Sequence, residues 1–247
     1  YSSNSLGTKP YIKYSDGEYK YMEAAERCES LDEFISTQDF NKTGNAFQAC
    51  IMKNGVVFET QIIDMIKEKF PNDFVEIGNY QQAKSSRKYL ETVNHINKGT
   101  PIIYQGVLHD FKTQTFGVPD LLVRSDYLNK IFNERVIGDR KIIKSKNGKP
   151  WHYMVVEIKF SSLNLCADGK HLRNINSMVS NKGQLYIYNK ILGNIQDYTP
   201  SKSYILGKKS VYKKGSQVFM GGPFDRVAHV DFRVNDAFIR TQTALAV

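Results

Sequence analysis

Apolar positions recur at helical spacing over residues 21–35, where Met22, Ala25, Cys28, Leu31, Phe34 and Ile35 share a face. They do so again over 47–70, through Ile51, Phe58, Ile62, Ile63 and Ile66. Pro71 ends the second helix, since proline supplies no amide hydrogen and clashes with the preceding turn. Residues 80–97 predict a third helix, with Lys84, Arg87 and Lys88 as a basic side that meets either phosphates or water. The period then changes. Residues 101–109, 115–124 and 151–160 are rich in β-branched and aromatic side chains and predict three strands. Between the last two strands, 126–132 predicts a short helix, and Asn147-Gly148 is a strong two-residue turn signal that makes the surrounding segment a β-hairpin arm. A helix over 177–192, stopped by Gly193, and strands over 202–206 and 226–232 complete the pattern.

The order helix, three strands, helix, strand predicts an α/β (α+β) chain built on a central mixed sheet. Residues 1–20 have little periodicity and read as an irregular lead. We expect two parts: a lead and helical extension over 1–46, and one elaborated domain over 47–247 with an insertion at about 126–150. No internal repeat or low-complexity linker interrupts it.

One strand carries unusual chemistry. In Met154-Val155-Val156-Glu157-Ile158-Lys159-Phe160, Glu157 and Lys159 stand two residues apart and so project from one face of a segment otherwise built for burial. Buried charges are costly unless paired or bound to a metal. A carboxylate from Asp120, on the neighbouring predicted strand, would complete an acidic pocket with one ammonium in it, suited to a hard divalent cation. The bland alternative is a structural ion pair beside an ordinary Pro-Asp turn.

Pro119-Asp120 followed by Glu157-Ile158-Lys159 resembles the PD-(D/E)xK nuclease superfamily. Gly55-Val56-Val57-Phe58-Glu59 is similar to the G-x-x-x-E helix of its RecB-like, lambda-exonuclease-like branch, and Gln184-Leu185-Tyr186-Ile187-Tyr188 to that branch's Q-x-x-x-Y helix. The resemblance covers roughly 47–208. It implies a restriction-endonuclease-like core, and Mg²⁺ or Mn²⁺ held by Asp120, Glu157, the Ile158 backbone carbonyl and Glu59. Lys159 would position or help deprotonate a water, Gln184 would touch the scissile phosphate, and Tyr188 would brace the nucleic acid. It further implies that Gly55 permits close approach of helix or DNA. His109, just upstream of the Pro-Asp motif, would be an extra metal ligand or simply a strand-end histidine beside Asp110. Glu59 alone could be a solvent-facing helical glutamate, and Tyr188 a buried tyrosine of an amphipathic helix. The gap from Asp120 to Glu157 is wide for the family, and the hairpin insertion accounts for it. Its Lys141, Lys144 and Lys146 would grip a duplex flank or sit in water. Lys208, Lys209, Lys213 and Lys214 form a second basic patch with the same two readings.

Charge narrows the partner: 34 Lys and Arg against 25 Asp and Glu give a net +9, which favours a polyanion, nucleic acid before a membrane surface. Cys28, Cys50 and Cys166 are widely spaced, so neither a disulfide framework nor a zinc ribbon is indicated and an intracellular setting is expected. Three cysteines cannot supply the four ligands of the iron–sulfur cluster that some RecB-like nucleases carry. No apolar run is long enough to cross a bilayer, and no nucleotide-motor, dinucleotide, zinc-protease or serine-hydrolase motif occurs, so a helicase or other recombination protein would be a separate partner. Opening on Tyr1 and closing on apolar Ala244-Leu245-Ala246-Val247 would suit a piece excised from a longer polypeptide. The expected function is a metal-dependent deoxyribonuclease, an exonuclease for end processing. The alternatives are an RNA endonuclease of the cap-snatching type and a nucleic-acid-binding module that no longer cuts. A homo-oligomer would be compatible with any of them.

Overall fold

A computed structural model describes residues 43–138, 149–175 and 178–244. The chain divides into two compact units, 1–58 and 59–247, so the boundary falls inside a helix rather than near residue 46. The predicted helix over 21–35 and the hairpin arm, with Lys141, Lys144 and Lys146, lie outside the described residues.

Helix α1 spans Thr43–Lys69 and, in the larger unit, buries Ile62, Ile63 and Ile66. Strand β1 (Phe74–Glu76) and helix α2 (Ser86–Lys98) follow, then β2 (Ile102–Tyr104), β3 (Leu108–Asp110), β4 (Thr115–Gly117), β5 (Leu121–Arg124) and helix α3 (Ser125–Ile131). After them come β6 (Tyr153–Asn164), helix α4 (Met178–Gln196), β7 (Lys202–Lys214), β8 (Gln217–Gly221), β9 (Ala228–Asp231) and helix α5 (Ala237–Ala244). The main sheet runs β1-β2-β5-β6-β7-β8, with β9 pairing the opening of the same β7 edge that β8 pairs further along. It is mixed: β1 with β2 and β6 with β7 are parallel, and the other pairs antiparallel. Since β6 and β7 are parallel, the chain must cross over between them, and α4 is that crossover. None of the described helices is long and apolar enough to cross a membrane.

Leu121, Leu122 and Val123 are all buried, because β5 is central and covered on both faces. On the α4 face, Val155 and Ile205 pack with Leu185, Leu192, Ala228 and Val230. Each such fully buried aliphatic contributes roughly 1.5–3 kcal/mol.

Several expectations change. The predicted strand over 101–109 is two strands in two sheets, because Gln105 adopts a left-handed backbone, φ 50°, and turns the chain out of the main sheet. The predicted strand over 115–124 is likewise divided: β4 pairs with β3 as a separate hairpin, and β5 returns to the main sheet. Helix α4 runs past Gly193 and ends before Asp197, whose φ of 54° breaks it. Gly193 is instead a packing site, where a Cβ would lie 2.1 Å from Thr199 Oγ1. The lysines at 208, 209, 213 and 214 belong to a long β7, which β8 extends as an exposed hairpin.

A buried ion pair ties α4 to α5. The Lys182 ammonium, fully buried, donates to the Leu172 carbonyl at 2.7 Å, to Asn174 Oδ1 at 2.7 Å and to the Asp236 carboxylate. The second Asp236 oxygen accepts the Asp231 N–H at 3.0 Å. Every donor and acceptor is used, so loss of one partner strands a charge. Asp236→Ala is expected to cost about 3–5 kcal/mol in urea unfolding, and the double variant Lys182→Met/Asp236→Leu substantially less.

Candidate active site

The antiparallel pairing of β5 with β6 sets Leu121 opposite Val156, which brings the residue before Leu121 beside the residues after Val156. Asp120 therefore meets Glu157 and Ile158. Its backbone N–H donates to Glu157 Oε1 at 3.2 Å, and its Oδ2 accepts the Ile158 N–H at 2.6 Å. Oδ1 of Asp120 has no protein hydrogen bond among the described residues. Glu157 is only 2% exposed, and Lys159 Nζ donates to its Oε2 at 2.8 Å. The alternation expected of a strand holds: Val155, Glu157 and Lys159 share the face that α4 covers.

Helix α4 adds two side chains. Gln184 Oε1 accepts from Lys159 Nζ at 3.4 Å, and Gln184 Nε2 donates to the Tyr188 hydroxyl at 2.9 Å, one helical turn away. The Tyr188 ring rests on Gly117, where a Cβ would stand 2.2 Å from Cε1. Tyr188 is thus a strut between α4 and the loop leading to Asp120, and the expected buried tyrosine and the expected site residue turn out to be one arrangement.

Glu59, on α1, approaches from the far side of β2. Its Oε1 accepts the Tyr104 hydroxyl at 2.9 Å and Gln105 Nε2 at 3.2 Å, so it is engaged rather than solvent-facing. Gln105 also donates its backbone N–H to the Asp120 carbonyl at 2.9 Å. Tyr104 and Gln105 are missing from the sequence reading. The signal that could have exposed them is Gly106, a break inside an apolar strand pattern. No described atom lies within 4 Å of a Cβ built on Gly55, so no described neighbour requires a glycine there. His109 turns to the Ala83 carbonyl, with 2.6 Å from Nε2, and stacks on Tyr89 with centroids 5.1 Å apart. Aromatic packing holds it there, away from the role of ligand beside Asp120.

The electrostatics follow from this crowding. Burial, then the carboxylates of Glu157 and Glu59, push the Asp120 carboxyl well above its ordinary range, against Lys159 and the Ile158 N–H. Burial works against charge on Lys159, but Glu157 and Asp120 outweigh it and hold the ammonium above its ordinary value. A lowered lysine, as a water-deprotonating base would need, is not what the protein alone provides. Burial, followed by the Glu157 carboxylate, raises the Tyr188 phenol.

A divalent cation fits this donor set in part. Oxygen donors and an excess of negative charge suit a hard ion, with Asp120 and Glu157 as side-chain ligands. Among the described residues, however, no three His, Cys, Asp or Glu side chains gather as a metal centre. Glu59 is kept at one remove by Tyr104 and Gln105.

No protein-family model matches this chain, and no curated protein matches it in sequence.

Two outcomes test the geometry. A raised Asp120 means that the folded protein binds its proton more tightly than the unfolded chain. That stability is present below about pH 4 and is lost as pH rises towards the folded value. Asp120→Asn, which keeps an acceptor for the Ile158 N–H, is therefore expected to melt higher than wild type at pH 8 in EDTA, and the difference should vanish near pH 4. Gly117→Ala should displace the Tyr188 ring and loosen Gln184, read as increased solvent quenching of tyrosine fluorescence with the main fold retained by circular dichroism.

Proposed function

We propose that the chain is a metal-dependent nuclease that hydrolyses phosphodiester bonds of DNA, acting on ends as an exonuclease. The observation that carries this reading is the convergence of Asp120, Glu157, Lys159 and Gln184, from three separate elements, on one site. A purely structural pair would need only Glu157 and Lys159. It would not need a second carboxylate whose charge the protein leaves poorly compensated.

The finer architectural reading, a restriction-endonuclease-like core, is supported by the antiparallel β2-β5-β6 segment followed by the α4 crossover to a parallel β7. In this reading Asp120 and Glu157 hold Mg²⁺ or Mn²⁺ together with the Ile158 carbonyl. A bound cation would supply charge neutralisation on the scissile phosphate and lower the pKa of a nucleophilic water. Lys159 remains protonated, donates to Glu157, and can offer a second hydrogen to a phosphate oxygen or an incoming water. Gln184, fixed by Tyr188, presents its amide beside that ammonium. Glu59 acts through Tyr104 and Gln105 as a support for the Asp120 loop.

The surroundings favour nucleic acid. Phe116, 42% exposed, stands immediately before the Gly117 seat of Tyr188, and Lys84 Nζ lies 5.0 Å from its ring centroid. Tyr80 is exposed on the segment leading to Lys84. An aromatic face beside an ammonium suits an unstacked base and its phosphate. Lys149, by contrast, is spent on structure: it donates to the Asn97 carbonyl at 2.6 Å and sits over Trp151.

The test is digestion of end-labelled linear DNA, closed circular DNA and RNA with Mg²⁺ or Mn²⁺. Wild type is expected to degrade linear DNA. Asp120→Ala, Glu157→Ala and Lys159→Ala should each fall by more than about 100-fold, the most that loss of a merely supporting group costs. Undiminished activity in all three would end the assignment, cleavage of RNA alone would replace it with an RNA endonuclease, and DNA binding without cleavage or metal uptake would replace it with a binding module. Phe116→Ala is expected to raise KM for single-stranded DNA by about tenfold or more with kcat retained.

A further inference from the structure

The sheet has a second face, and it carries a second cavity. Strand alternation sends Met154 to the side opposite Glu157, and His229 to the side opposite its neighbours Ala228 and Val230, which pack with α4. There, Met154, Tyr204, His152 and His229 line a cavity of about 790 Å³, with Val136 and Ile137 as a further apolar wall. That volume falls in the range of small-molecule sites. Its rim is basic: Arg135, Lys170, Lys202 and Arg233 all line it. Lys202 is answered by Asp231 at 3.3 Å, while Lys170 and Arg233 are exposed and make no ion pair among the described residues.

The floor of this cavity contains an unmet hydrogen-bonding demand. His229 is 3% exposed, and neither ring nitrogen has a hydrogen-bond partner. Its packing partner on this side is the Tyr204 ring, edge-on with centroids 5.0 Å apart. Burial, then the charges of Lys202, His171 and Lys170, lower its pKa to about 3, so the ring is neutral near pH 7. A neutral imidazole presents one donor and one acceptor. Buried groups of both kinds are rarely left without partners, and leaving them so is costly. The edge of a nucleobase carries the matching acceptor and donor side by side. Inorganic phosphate would satisfy the rim but not this floor. A purely apolar ligand would satisfy the wall but neither of the others.

We propose that this cavity binds a nucleoside monophosphate, with the phosphate at Lys170 and Arg233, and the base against Met154 and Tyr204, hydrogen-bonded to His229. The site is separate from the carboxylates and does not depend on the nuclease reading. The same chemistry could be offered by a free nucleotide or by the terminal nucleotide of a strand, and we assign the free one.

Isothermal titration of the whole chain in EDTA tests this, with dAMP, inorganic phosphate and a 5′-phosphorylated oligonucleotide as the probes. Saturable binding of one dAMP is expected, tighter than phosphate alone, with Lys170→Ala and Arg233→Ala each weakening it by about tenfold. His229→Phe should weaken dAMP by a similar factor and leave phosphate unchanged. His229→Gln serves the same purpose if the phenylalanine variant does not fold, and Lys170→Glu tests the exposed rim without touching the core. Asp120→Ala and Glu157→Ala should bind dAMP as wild type does, whatever their effect on DNA cleavage. The proposal is overturned if dAMP binds no better than phosphate, if binding is indifferent to Lys170 and Arg233, or if it is lost with Asp120. Tighter, equally Lys170-dependent binding of the oligonucleotide would overturn the assignment to a free nucleotide.

Discussion

A carboxylate that is almost wholly buried in a sheet is the constraint around which this molecule is organised. Glu157 keeps its charge out of water only because the Asp120 N–H and the Lys159 ammonium reach its two oxygens. Both contacts are fixed by strand geometry: one by the β5–β6 register, the other by two-residue alternation along β6. A slip of one residue in that register would turn Glu157 toward the opposite face and strand it. The polar network beyond, through Gln184 to Tyr188 and through Gln105 to Glu59, is assembled against this fixed point.

Much of this was legible in the sequence, for identifiable reasons. The Glu157–Lys159 pairing stood out because two charges interrupt an apolar run. The helix spacing of Gln184 and Tyr188 placed them on one face before any coordinates did. The mixed sheet and its crossover helix followed from a change of period between 101 and 206 and a return to it. What escaped was conformational. Gln105 and the Gly117–Asp120 stretch each break an apparently continuous strand, and a left-handed glutamine carries no compositional mark. Likewise β8 is polar and exposed, so no burial pattern announces it. His109 misled through proximity in sequence: once the chain leaves the main sheet at Gln105, β3 and β4 form their own hairpin and carry it to the Ala83 carbonyl.

The two faces of the sheet differ in electrostatic character. On one, carboxylates outnumber the ammonium and raise one another's proton affinity. On the other, basic side chains surround a neutral imidazole. The central strands separate the two with a layer of side chains buried on both sides, so charge on one face is insulated from the other and each can bind its own kind of ligand.

Helix α4 makes the internal plumbing rigid. Its first turns hold Lys182, locked to Asp236 near α5; one turn later it carries Gln184 and Tyr188; and its last residue, Gln196, clasps both backbone groups of Tyr153 at the opening of β6. A single rod is thus pinned at both ends, with the acidic cluster between the pins. Warmth cannot slacken that cluster by degrees, and its chemistry should persist undiminished until the whole assembly gives way at once.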